Sequence, residues 1–86
     1  MERLLNNSSE KTVEIFKTNI TTVWEANLVL KNLRMHFPSC RINFDLEDCD
    51  RILRIEGKAC EIEIDIILQV VRDLCFEIHL IEDEAF

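Results

Sequence analysis

Hydrophobic and polar positions along the chain fall into segments of two different periods. Thr12-Val13-Glu14-Ile15-Phe16-Lys17 alternates at its start and is rich in β-formers, which predicts a strand with Val13 and Ile15 on one face. Val23, Ala26, Leu30, Leu33 and Phe37 then recur at three- and four-residue steps, the apolar stripe of a helix that Pro38 ends. Thr22 and Glu25 stand at capping-box spacing where this helix should begin. Arg41-Ile42-Asn43-Phe44-Asp45-Leu46 alternates strictly, and Asp50-Arg51-Ile52-Leu53-Arg54-Ile55 is a second β-rich run. The acidic and small side chains of Glu47-Asp48-Cys49-Asp50 suit an exposed turn between them, and Gly57 is expected to close the second run.

Residues 62–74 carry Ile64, Ile67, Leu68, Val71 and Leu74 at helical spacing, although Glu61-Ile62-Glu63-Ile64-Asp65-Ile66 alternates like a strand. The run is longer than a usual strand of about 5–6 residues, and its later four-residue steps decide for a helix. Phe76-Glu77-Ile78-His79-Leu80-Ile81 alternates again and gives the last strand.

The order β-α-β-β-α-β is a split βαβ arrangement. With right-handed crossovers it predicts an α+β, ferredoxin-like βαββαβ sandwich, its antiparallel sheet ordered 4-1-3-2 with two helices on one face. The domain should span residues 12–83, between a flexible N-terminal tail, 1–11, and a C-terminal tail, 84–86. Its expected core takes Val13 and Ile15 from the first strand, and Leu30, Leu33 and Phe37 from the first helix. The hairpin adds Ile42, Phe44, Leu46, Leu53 and Ile55, the second helix Ile64, Ile67, Leu68 and Val71, and the last strand Ile78 and Leu80. Trp24 and Met35 fall off the stripe and should cover the helix flank. The same alternation sends Phe16, Ile52 and Ile81 to the open sheet face, as a patch ringed by Glu14, Arg54 and His79 unless Leu4 and Leu5 fold back over it.

Composition supports one small folded domain. The 86 residues are 48 % hydrophobic with one Gly and one Pro, and a chain of this size buries only about 60–65 % of its unfolded surface. Ten Lys and Arg against seventeen Asp and Glu leave a formal charge of -7, which argues against nucleic acid and anionic membranes as partners. The first residues hold no apolar run of signal-peptide length and no stretch approaches a membrane span, so a cytoplasmic protein is expected. Cys40, Cys49, Cys60 and Cys75 should then be free thiols.

Little in the sequence announces a chemistry. No nucleophile stands beside a base oriented by a third group, and one glycine makes no phosphate-cradling loop. His36 fits the C-terminal dipole of the first helix, and His79 points away from the helices. The Asp45, Glu47, Asp48 and Asp50 cluster lacks the glycine of a calcium loop and reads as a solvated turn. The expectation is a non-enzymatic domain with no catalytic residues, no metal ligands and no cofactor.

Val13-Glu14-Ile15-Phe16-Lys17, the hairpin through Leu53 and Ile55, and Val70-Val71 followed by Phe76 resemble the heavy-metal-associated, copper-chaperone-like domains over roughly residues 12–83. The chain is also similar to small uncharacterised bacterial proteins that carry Phe-Lys-Thr-Asn and Asp-Leu-Glu-Asp-Cys-Asp segments, here Phe16-Lys17-Thr18-Asn19 and Asp45-Leu46-Glu47-Asp48-Cys49-Asp50. Metal-binding members of the first family carry Met-x-Cys-x-x-Cys after the first strand, where two thiolates clasp a soft cation. Here that loop reads Asn19-Ile20-Thr21-Thr22-Val23-Trp24 and holds no cysteine. The resemblance therefore implies the fold and not the metal.

The topology puts Cys49 and Cys75 at one pole and Cys40 and Cys60, with His36 nearby, at the other. The expected function is a protein-interaction or assembly module, pairing with a second copy or another protein through the open sheet face at Phe16, Ile52, Ile81, Arg54 and His79. Two alternatives stand beside it: a residual Cu or Zn carrier using Cys40, Cys60 or Cys49, and a small-ligand regulatory domain.

Overall fold

The computed structural model describes residues 11–47 and 49–81. The expected tails, with Leu4 and Leu5, and Asp48 of the turn lie outside the described residues, except that Lys11 already belongs to the first strand. The elements are β1 (Lys11–Thr18), α1 (Val23–His36), β2 (Arg41–Asp45), β3 (Ile52–Lys58), a 3-10 turn (Ala59–Glu61), α2 (Ile64–Asp73) and β4 (Ile78–Leu80). They form the expected α+β βαββαβ domain, with an antiparallel sheet ordered β2-β3-β1-β4 and two helices. This is the ferredoxin-like topology.

Helix α1 starts where its capping box predicts. The Thr22 hydroxyl accepts from the Glu25 N–H at 3.1 Å, and the Glu25 carboxylate accepts from the N–H groups of Thr21 and Thr22 at 3.1 and 3.3 Å. These bonds, the one from the Thr21 N–H foremost, hold the exposed Glu25 carboxyl below its ordinary range. Its buried stripe is Ala26, Val29 and Leu33, continued by Phe37, with Leu30 half-buried. Val23, expected in the stripe, is exposed, because the run Leu28-Val29-Leu30 allows the helix to turn a different line of residues inward.

Helix α2 buries Ile67 and Val71 and packs Ile64 and Leu68 against the same core. It ends in a Schellman motif: the Cys75 N–H donates to Arg72 O at 2.9 Å and the Phe76 N–H to Val71 O at 3.3 Å. The residue after the cap, Cys75, adopts φ 74°, a left-handed position that usually falls to glycine.

Strand β1 departs most from expectation. Phe16 lies opposite Leu53 on one side and Leu80 on the other, and directly opposed residues of antiparallel strands share a face. Leu53 faces the helices, so Phe16 does too, and it is fully buried at the centre of the core with Ile20, Ile55 and Ile78. Val13 and Ile15, expected inside, are thereby turned to the helix-free face, where Val13 is 46 % exposed. Glu14, expected on the rim of the open face, stands opposite Ile55 on the helix side. The expected parities of β2, β3 and β4 hold: Ile42, Leu53, Ile55 and Ile78 are buried, while Phe44, Leu46 and Leu80 are half-buried against them.

Gly57 sits inside β3, opposite Thr12, and does not close it. A Cβ there would stand 2.7 Å from the Cys40 sulfur, so the absence of a side chain lets Cys40 pack onto the strand.

Candidate interaction face

The helix-free face of the sheet takes every second residue of its four strands. In β1 these are Val13, Ile15 and Lys17, and the register sets them opposite Glu56, Arg54 and Ile52 of β3. Lys17 is also opposite His79 of β4, and the Ile81 N–H donates to Ile15 O at 2.8 Å, which continues the ladder and brings Ile81 beside Ile15. On the far side of β3, Arg41, Asn43 and Asp45 of β2 stand opposite Glu56, Arg54 and Ile52.

An apolar group results from three adjacent strands: Val13 and Ile15 of β1, Ile52 of β3 and Ile81 after β4. Val13 and Ile81 are 46 % and 40 % exposed, Ile15 is half-buried, and Ile52 is buried. Arg54 and His79 are exposed beside them. Of the five residues expected on this face, Ile52, Ile81, Arg54 and His79 are therefore on it, and Phe16 is on the opposite one. Its place is taken by Val13 and Ile15, which alternation predicts for the core. The adjacency of Ile15 and Phe16 left both faces of β1 with an apolar candidate. The register decides between them, setting Phe16 opposite Leu53 and Leu80 and Ile15 opposite Arg54.

Two other regions collect chemistry-bearing residues. His36, Cys40, Cys60, Glu61 and Glu63 line a cleft of about 220 Å3 with Pro38 and Ile66, so the topology brings together the pole expected for Cys40 and Cys60. Burial, with the Glu61 carboxylate adding to it, pushes the Cys40 thiol above its ordinary pKa, so it stays protonated at neutral pH. Among the described residues no three His, Cys, Asp or Glu side chains are arranged to hold a metal ion, and the cysteines form no disulfide.

At the other pole, the Phe16-Lys17-Thr18-Asn19 and Asp45–Asp50 segments meet. The buried Thr18 hydroxyl donates to Arg51 O at 2.8 Å and accepts from the Ile20 N–H at 3.2 Å. Arg51 itself adopts φ 50° and reaches back to Leu46 O at 3.0 Å, while Asn19 accepts from the Glu77 N–H at 2.9 Å. Thr18, Asn19 and Arg51 all bond to backbone, and the Lys17 ammonium pairs with the Asp50 carboxylate at 3.7 Å, so this cluster is a structural clasp that joins three loops.

Fold and surface together define a small α+β domain of ferredoxin-like topology with an apolar group on the helix-free face of its sheet. No protein-family model matches the chain, a heavy-metal-associated domain included, and no curated protein or solved structure matches it significantly. Among the described residues no helix is long and apolar enough to cross a membrane.

Proposed function

We propose that this chain is a non-enzymatic protein-interaction module that keeps the shape of a heavy-metal-associated domain without its metal loop and binds a protein through the helix-free face of its sheet. The observation that carries this reading is the apolar group of Val13, Ile15 and Ile81 beside Arg54 and His79. Single exposed apolar residues are ordinary, whereas contiguous ones with a polar rim mark contact surfaces. The absence of cysteine from Asn19-Ile20-Thr21-Thr22-Val23-Trp24, and the use of Thr22 as a helix cap, support a role without the family's metal.

A photocrosslinking amino acid placed at Val13 or Ile81, and at Trp24 on α1 as a control, tests this in the cells that make the protein. Discrete adducts from positions 13 and 81 but not from 24 are expected. No adduct at 13 and 81, or the same adducts at all three positions, would refute the open face as the binding surface.

A further inference from the structure

The sheet has two outer strands, and they are built differently. Strand β4 is three residues long, and the Arg72 guanidinium donates to its Ile78 carbonyl at 3.0 Å. Short length and a covering charged side chain are devices that blunt an edge against further pairing. Strand β2 pairs with β3 along its whole length, Arg41 to Asp45, and its other side faces no described strand. Beside it, between α1 and β2, runs an open groove of about 640 Å3 whose lining includes Leu30, Arg34, Phe44 and Leu46.

The sequence of β2 is complementary to itself. Arg41, Asn43 and Asp45 lie on the open face and are exposed, while Ile42 and Phe44 turn toward the helices. When two such strands run antiparallel about Asn43, Arg41 of one copy stands opposite Asp45 of the other, and the pair occurs twice by symmetry. Ile42 stands opposite Phe44, also twice. Asn43 meets its own counterpart, and an amide can both donate and accept. A shift of two residues in either direction shortens the ladder and removes both charge pairs, so this register uses the whole strand best. The chain carries a net charge of -7, yet this edge offers one cation and one anion and meets a second copy without added repulsion.

We propose that a second copy of this chain adds edge to edge at β2, joining two four-stranded sheets into one continuous sheet with a two-fold axis at Asn43. The interface is isologous, each copy giving and receiving the same contacts. Phe44, half-buried in the single chain, gains Ile42 of the other copy beside it on the helix side, next to the groove. This contact is separate from the apolar group of the open face, and each stands or falls without the other.

Charge exchange tests it by sedimentation over a range of concentrations. The unmodified protein is expected to dimerise. Arg41→Asp or Asp45→Arg alone sets like charges opposite each other twice and should weaken the dimer about tenfold or more. Mixing the two single variants pairs an all-acidic strand with an all-basic one and should restore association, as should the double variant with both residues exchanged. Ile15→Glu with Ile81→Glu should leave the dimer intact, which separates this contact from the open face. A monomer at millimolar concentration, single variants that dimerise as the unmodified protein does, or a mixture that fails to associate would each overturn the proposal. Binding of an extended segment from another protein at this edge, with no self-association, would overturn it as well.

Discussion

Ile15 and Phe16 are neighbours in β1, similar in hydrophobicity, and they end on opposite sides of the sheet. On the helix side Phe16 is closed in by Leu53, Leu80 and the helices, and no part of it reaches water. On the other side Ile15 has Val13, Ile81 and Arg54 around it and stays half-buried, with nothing described above it. Residue type alone does not separate the two environments. The difference arises because both helices pack on one face, so an equal apolar side chain contributes to stability on that face and remains available for contact on the other.

Truncation separates the faces by size of effect. Phe16→Ala removes a fully buried ring from a close-packed centre and should destabilise the domain by about 3–5 kcal/mol in chemical denaturation, whereas Val13→Ala on the open face should change stability by less than about 0.5 kcal/mol. Similar losses from the two variants would mean that the open face is covered in the same way as the core. A smaller effect is expected at Thr18, whose hydroxyl both donates and accepts while 7 % exposed. Thr18→Val keeps the shape, leaves the Arg51 carbonyl with the Thr18 N–H at 3.2 Å but without the hydroxyl, takes the side-chain acceptor from the Ile20 N–H, and should cost about 1–3 kcal/mol. The smallest effect has the opposite sign: at Cys75, φ 74° strains any residue with a Cβ. Cys75→Gly should raise the denaturation midpoint by an amount equivalent to roughly 0.5–1 kcal/mol. A loss of stability at that position would show that the thiol makes a contact worth more than the relief of strain.

These particulars also show what the sequence discloses. The run 41–46 alternates strictly and 76–80 alternates as far as Leu80, so Ile42 and Ile78 follow from spacing alone, while in β3 the adjacent Ile52 and Leu53 are separated by the two-residue step from Leu53 to Ile55. Of the five residues expected on the open face, Ile52, Ile81, Arg54 and His79 follow from the same two-residue steps. Strand β1 resists because its apolar residues are consecutive, and its parity is decided only when pairing to β3 sets Phe16 against Leu53. In helix α1, Ala26, Leu33 and Phe37 are buried as their spacing predicts, while Val23 is exposed and Val29 is buried instead. Pairing partners and helix rotation are tertiary choices, and a period read along one segment does not contain them.

The clasp at Thr18 bears on how the chain finds this arrangement. In the order β2-β3-β1-β4, the pairing between strands consecutive in the sequence is the β2–β3 hairpin, and hairpins close in about 1–10 μs. Strand β1 must then dock on the free side of β3 across a long loop, Thr18 and Arg51 being 33 residues apart. With apolar residues on both its faces, β1 can arrive in two alignments one residue apart, and each buries hydrophobic surface. An alignment slipped by one residue would put side chain 18 on the other face and forgo the bonds its hydroxyl makes to Arg51 O and from the Ile20 N–H. The Thr18 hydroxyl thus rejects the wrong docking, and Thr18→Val is expected to slow refolding in stopped-flow measurements beyond what its equilibrium effect requires.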